Sequence, residues 1–177
     1  MKKYQIIYAD PPWEYGSVTK LGNARDFYKT LTFNQLKELE IPSDDNCLLF
    51  MWVVSQKMDK CIEVAKSWGF KYSGVAFVWH KPNSTLCGYY TMAQTELCLL
   101  FKKGKIPQPR GSRNERQFLT EKRTKHSKKP NEIRDRIQKM FPIQDKLELF
   151  ARQKLEGWDA FGDEIESDVV LKRKNKK

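Results

Sequence analysis

Tyr4-Gln5-Ile6-Ile7-Tyr8-Ala9-Asp10-Pro11-Pro12-Trp13 opens the chain on a strand and ends that strand abruptly. The apolar run over residues 4–9 has the length and character of a short buried strand. Asp10-Pro11-Pro12 stops it, because paired prolines lack the N–H groups a central strand must donate. Outward from there, Thr32-Phe33-Asn34-Gln35 predicts a capping box that opens a short helix with Leu36 and Leu39 facing inward. Residues 47–54 (CLLFMWVV) form a continuous apolar run, as expected of a strand covered on both faces. Ser55 is placed to cap the next helix, where Met58, Cys61, Ile62, Ala65 and Trp68 share a face and Gly69 marks the end.

Residues 75–79 and 97–101 are further strand candidates, and residues 146–151 are the last. Between them, residues 131–141 predict a helix with Ile133, Ile137, Met140 and Phe141 on one face and Arg134, Asp135 and Lys139 pointing away. Strands alternating with helices make an α/β domain with a mostly parallel sheet and helices on both faces. Ligands of such sheets bind beyond the carboxyl ends of the strands, which puts residues 10–13 in the active crevice.

At 177 residues the chain is one domain by length and long enough to bury a core without disulfides or a metal. It carries 33 Lys and Arg against 22 Asp and Glu, a net +11, which favours a polyanionic partner over a neutral small molecule. A lysine-rich composition without such a partner is the plainer alternative. Nine of the basic residues fall in residues 102–126 against two Glu, with Pro107, Pro109 and Gly111 among them. That stretch reads as a long basic loop within the domain, open to disorder until a partner binds. Its Arg110, Arg113, Arg116 and Arg123 are candidates for phosphates or base edges. The domain is expected over residues 1–166, followed by a basic C-terminal tail over 167–177, whose charge run from Lys172 to Lys177 reads as solvated, with phosphate binding the alternative.

Cys47, Cys61, Cys87 and Cys98 show no C-x-x-C spacing, and His80 and His126 are the only histidines. A zinc site of ordinary spacing is therefore not expected, which counts against a zinc-dependent deaminase. There is no signal-peptide layout and no apolar stretch of bilayer length, so a cytoplasmic protein is expected.

Asp10-Pro11-Pro12-Trp13 suits one kind of chemistry. An exocyclic amine on adenine is a poor nucleophile because its lone pair is delocalised into the ring. Two acceptors gripping its hydrogens draw the nitrogen toward tetrahedral geometry and free that pair. The Asp10 carboxylate is one candidate acceptor, and a main-chain carbonyl of the proline turn, that of Pro11, is the other. The proline rings stiffen the turn by fixing φ, and Trp13 is placed to stack on an extruded base. Methyl transfer from a sulfonium needs no metal, so catalysis would rest on positioning and electrostatics. A plain strand-ending turn, with Asp10 a turn residue, is the alternative.

With these residues in hand, the chain resembles the DPPW-type N6-adenine methyltransferases. The similarity runs from about Tyr4 to about Ile165 through several ordered blocks: IIYADPPWEY, Leu36 to Pro42, LLFMWVV, FVWHK, TELCLLFKKG, HSKKP, KLELFAR and GWDAFGDEI. The resemblance implies a Rossmann-like fold with permuted motif order, in which the catalytic strand precedes the main cofactor strand. It implies S-adenosylmethionine as cofactor and no metal. Phe150 and Arg152 would lie beside that cofactor, as would Asp10 and Pro11, and Asp163 and Glu164 would accept from its ribose hydroxyls. Lys129 would approach the donor's carboxylate or the target base, or else be a solvated lysine leading a helix. Tyr28 and Glu96 would line the adenine pocket, or else be a buried tyrosine and a strand-end acid. ELFAR departs from the F-x-G-x-G of more distant amino-methyltransferases, and Trp52 and Trp79 read as core.

The implied substrate is a nucleic acid, DNA favoured and RNA the alternative. A recognition surface this small suggests a short target or a homodimer sharing the work. A non-catalytic nucleic-acid-binding subunit is the rival class, and the intact Asp10-Pro11-Pro12-Trp13 weighs against it.

Overall fold

A computed structural model describes residues 2–14, 30–84, 90–124 and 128–174. Tyr28, Cys87 and His126 lie outside the described residues. Among those residues the chain runs β1 (Tyr4–Ala9), α1 (Phe33–Glu38), β2 (Leu39–Glu40), β3 (Ser43–Val53), α2 (Met58–Ser67), β4 (Lys71–His80), β5 (Thr95–Lys103), β6 (Phe118–Thr120), α3 (Asn131–Met140), β7 (Lys146–Leu149), β8 (Asp159–Phe161) and β9 (Lys172–Arg173). The main sheet has the order β6-β4-β5-β3-β1-β7-β8. β1 is parallel to both β3 and β7, β7 to β8, and β4 to β6, while β5 runs antiparallel to β3 and β4. The sheet is thus mostly parallel but mixed.

Period-two alternation sorts β3 between two cores. Cys47, Leu49, Met51 and Val53 face α1 and α2, meeting Leu36, Cys61, Val64, Ala65 and Trp68. Leu48, Phe50 and Trp52 face α3, meeting Ile133, Ile137 and Phe141. Each large apolar side chain buried this way contributes about 1.5–3 kcal/mol, and burial on both faces is why the central strands read as unbroken apolar runs. The capping box at Thr32 forms as expected, with the Gln35 N–H donating to Thr32 Oγ1 at 3.2 Å and the Thr32 N–H to Gln35 Oε1 at 2.8 Å.

Several expectations need correction. Ser55 does not cap α2. Residues Ser55–Lys57 form a single 3₁₀ turn, and α2 begins after Lys57 without a side-chain cap. Arg134 does not point away from the core. It is buried and donates to Glu148 Oε2 at 2.7 Å and to Asn131 Oδ1 at 2.5 Å, so a buried carboxylate on β7 pulls it inward. The described part of the basic loop is an ordered strap rather than an open excursion. The Gly111 and Ser112 N–H groups donate to the Met140 and Lys139 carbonyls at 3.0 and 2.9 Å, satisfying the C-terminal end of α3. A Cβ at position 111 would collide with the Lys139 carbonyl, so the dock requires glycine. Arg136 Nη1 donates to the carbonyls of Arg116 and Phe118 at 2.6 and 3.2 Å, which ties the strap to α3 where β6 pairs with the edge of β4.

Over residues 167–174 the chain is also paired. The Asp168 N–H donates to the Ala160 carbonyl at 2.8 Å, and β9 lies antiparallel to β2. Val169 and Leu171 pack against the core shared by α1 and α2, so the charged residues beyond them begin from an anchored segment. β6 and β8, three residues each, are strands that the sequence does not predict.

The connections fix where a ligand can sit. β1 leads through α1 to β3 on one side, and β7 leads to β8 on the other. β1 and β7 are parallel neighbours whose connections run to opposite sides of the sheet, and the crevice beyond the carboxyl ends at such a switch point is where a ligand of this kind of sheet binds.

Candidate active site

Asp10 leaves β1 at that crevice. Its N–H reaches the Leu149 carbonyl at 3.4 Å, so the exits of β1 and β7 are tied together. The proline turn then folds tightly: the Trp13 N–H donates to the Pro11 carbonyl at 2.8 Å, and the Leu31 N–H to the Pro12 carbonyl at 3.1 Å. A carbonyl has two lone pairs, so the Pro11 oxygen keeps one for a further donor. Trp13 is not free for stacking in this arrangement. Its ring is 6% exposed and its indole N–H donates to the Trp52 carbonyl at 3.3 Å, so it braces the turn against β3.

Around Asp10 the fold assembles a layer of alternating charges. Lys129 Nζ, just before α3, donates to both Asp10 carboxylate oxygens at 2.9 and 2.8 Å. The same ammonium lies 3.3 Å from Glu96 Oε2 on β5. Lys81, just past β4, donates to the other Glu96 oxygen at 2.7 Å. Two tryptophans form the floor. Lys129 sits 5.6 Å from the centre of the Trp52 ring and Lys81 5.5 Å from that of Trp79, and the two rings pack edge to face at 6.4 Å. Trp52 Nε1 donates to the Tyr8 hydroxyl at 2.6 Å. Trp52 and Trp79 are therefore core residues, as expected, and also the seat of the cations.

Exposure grades along this layer. The Lys81 side chain is 6% exposed, Lys129 13%, Glu96 16% and Asp10 28%, so Asp10 is the member that meets solvent or substrate. Burial pushes the Asp10 carboxyl up, opposed by Lys129 and Arg152 and helped by Glu96. Burial also works against the Glu96 carboxylate, but Lys129 and Lys81 outweigh it and hold that acid below its ordinary value. Burial disfavours the Lys129 ammonium as well, and its two acid neighbours more than reverse this. Four charges that sum to zero can survive in a low-dielectric site only as such a network.

On the β7 side, Phe150 takes a positive φ of 64°, turning the chain sharply after the strand. Arg152 follows, with its Nε 3.6 Å from Glu164 Oε1. Asp163 and Glu164 are exposed beyond β8. Gly162 packs so closely on the Ala151 backbone that a Cβ there would overlap it, which brings residues 150–152 and 162–164 together. This set fits S-adenosylmethionine chemically: exposed carboxylates suit a ribose diol, and a guanidinium and an ammonium suit the donor's carboxylate. Among the described residues no cluster of His, Cys, Asp and Glu is placed to hold a metal ion, and no helix is long and apolar enough to cross a membrane.

Of the loop arginines, Arg113 and Arg116 are exposed, Arg123 is half-buried, and Arg110 lies 5.4 Å from the Phe141 ring centre. They are spread along the strap rather than gathered at Asp10. Sequence reasoning passes over Lys81 and Glu148, although Lys81 stands in the FVWHK block. A lysine directly after a strand that ends in aromatics is the available signal.

A permuted Rossmann-like sheet with an acid-led proline turn at its divergence point is the architecture of a methyltransferase. Residues 4–164 match the MT-A70 family, and the chain belongs to that family. It is 46% identical to the type II methyltransferase M.MunI of Mycoplasma sp, with 96% of this chain and 81% of that protein aligned. It is 27% identical to the N(6)-adenosine-methyltransferase catalytic subunit METTL3 of Homo sapiens over 96% of this chain and 29% of that protein. A relative in Arabidopsis thaliana, N(6)-adenosine-methyltransferase MT-A70-like, is 27% identical over 92% of this chain and 24% of its own length. The chain thus spans most of the bacterial relative and under a third of the two eukaryotic ones.

Proposed function

We propose that this chain transfers a methyl group from S-adenosylmethionine to the N6 amine of adenine in DNA, in the cytoplasm of its host. The observation that carries the reading is Asp10, a half-buried carboxylate held at the mouth of the β1–β7 crevice by Lys129. The net charge of +11 supports a polyanionic substrate. DNA is preferred to RNA because the bacterial type II methyltransferase is the relative whose length this chain nearly matches.

Bound S-adenosylmethionine would supply a methyl group already activated on a sulfonium. Phe150, Arg152, Asp163 and Glu164 are the residues that would hold it, with Lys129 near its amino-acid end. Asp10 would accept one amine hydrogen of the adenine and the free lone pair of the Pro11 carbonyl the other. As the N6–carbon bond formed, the donor's carbon–sulfur bond would break and its electron pair return to sulfur, leaving a neutral thioether, and the nitrogen would gain positive charge and become acidic. Burial, which pushes Asp10 upward, fits it to stabilise that charge and take the departing proton on a carboxylate oxygen. Trp13 acts through the turn, holding Asp10 and Pro11 in place rather than meeting the base.

The test is to incubate the protein with labelled donor and DNA, RNA or free adenosine, digest each product to nucleosides and identify the modified base by mass. N6-methyladenine from DNA is expected. Label on RNA alone would move the assignment to the other polymer, and none on any substrate would leave a binding subunit.

A further inference from the structure

Lys129 donates to both oxygens of Asp10, the carboxylate the proposed reaction requires. Each oxygen keeps a further lone pair for an incoming amine, but an acid neutralised by an ammonium grips that amine and takes its proton less readily than a free one. The next anion is close: Glu96 Oε2 lies 3.3 Å from Lys129 Nζ, on the same tryptophan floor. Glu96 is an adequate second seat only while it is charged, and its other oxygen is bound by the nearly inaccessible Lys81 at 2.7 Å. The groups facing Glu96 from the packed elements are thus Lys81 after β4 and Lys129 before α3, with Asp10 beyond Lys129.

Resting on the function proposed above, we infer that Lys81 is a positioning residue, which keeps Glu96 ionised as a second seat for Lys129 so that the ammonium can slide off Asp10 when the adenine amine arrives. The movement needs no large rearrangement, because Lys129 already touches both acids. It exchanges one carboxylate for another and leaves the layer neutral throughout. Without Lys81, Glu96 stands against one cation instead of two, takes up a proton more readily, and ceases to attract Lys129. The ammonium then stays on Asp10 and keeps it a weak acceptor and base.

The experiment compares wild type, Lys81→Met, Lys81→Arg and Glu96→Gln in the full chain, with two readouts. In the first, the Glu96 carboxyl is titrated by ¹³C NMR without substrate. Lys81→Met should raise its midpoint by about 1 pH unit or more, and Lys81→Arg should restore it. In the second, single-turnover methyl transfer to DNA is followed against pH. The acid limb should move upward by a similar amount in Lys81→Met and return in Lys81→Arg. Glu96→Gln should be slow at every pH, and adding Lys81→Met to it should cost little more. An unshifted Glu96 midpoint would overturn the inference. So would a Lys81→Met protein whose rate falls equally at all pH, which marks a merely structural lysine. A wild-type protein that transfers no methyl group refutes the function instead, and the NMR titration still decides whether Lys81 sets the charge of Glu96.

Discussion

Replacing Asp10 by Asn changes one oxygen to an NH2 and leaves the shape of the turn alone. Two effects follow from the geometry. Lys129 loses its bidentate partner and keeps Glu96 at 3.3 Å, so a buried ammonium goes partly unsatisfied, at a cost of about 1–3 kcal/mol in stability. The relief of burying one carboxylate fewer offsets part of that, because burial already pushes Asp10 up. The catalytic effect is larger. Removing one preorganised polar partner from a reacting centre costs about 3–4 kcal/mol, or roughly 10²–10³ in kcat. Asn also presents a donor to an amine that needs an acceptor. The assay is methyl transfer under saturating donor and DNA, with urea unfolding of the same preparation and donor binding by calorimetry. The fall in kcat should exceed any weakening of donor binding, since Asp10 is asked to act mainly on the amine. A folded Asp10→Asn protein with kcat within about tenfold of wild type would refute the role given to this carboxylate, because the missing electrostatic stabilisation alone predicts more.

Arg134→Met should destabilise the protein by about 3–5 kcal/mol in urea unfolding, because it strands the buried Glu148; pairing it with Glu148→Leu should recover part of the loss, and a single-variant effect below about 1 kcal/mol would show the pair is dispensable. Glu96 is held below its ordinary 4.5, so its contribution to stability is present above that pH and is lost as pH falls through the lower folded value. The stability gap between wild type and Glu96→Gln should therefore narrow below pH 4.5, and a constant gap would contradict the charge assigned to Glu96. Arg113 and Arg116 are exposed on an anchored strap; changing both to Gln should weaken DNA binding and flatten the slope of log affinity against log salt by about 0.9 for each phosphate no longer neutralised. An unchanged slope would remove the strap from the interface.

What is legible in the sequence follows the range of the forces involved. β1, β3 and the proline stop are written locally, in apolar runs and in φ restriction, so their positions can be read to within a few residues. The capping box at Thr32 needs only four residues and forms as expected. β6 and β8 carry little periodicity in three residues each and exist because a neighbouring strand offers its edge, so local reading passes over them. Arg134 misleads for the same reason: on a helical wheel it is a polar residue, and only the tertiary position of Glu148 makes burial favourable. The basic strap looks open in the sequence because composition cannot show that α3 ends with carbonyls in need of donors and that Gly111 supplies one.

The same distinction explains why the site is only half visible. Asp10 advertises itself through the prolines beside it, but a carboxylate alone at a strand end is ordinary. Glu96, Lys129 and Lys81 come from segments far apart in the chain and share no spacing that a sequence pattern could register. They meet because β1, β3, β5 and β4 are consecutive neighbours in the sheet, with their site ends at one edge, and because α3 begins directly after Lys129 and Pro130. The antiparallel β5 matters here. It presents Glu96 from its first residues, where its antiparallel neighbours β3 and β4 present their last, so the strand that breaks the parallel rule supplies the second anion. A wholly parallel sheet would put an N-terminal strand end out of reach of Asp10. The mixed sheet is therefore what lets Lys129 stand between two acids rather than on one.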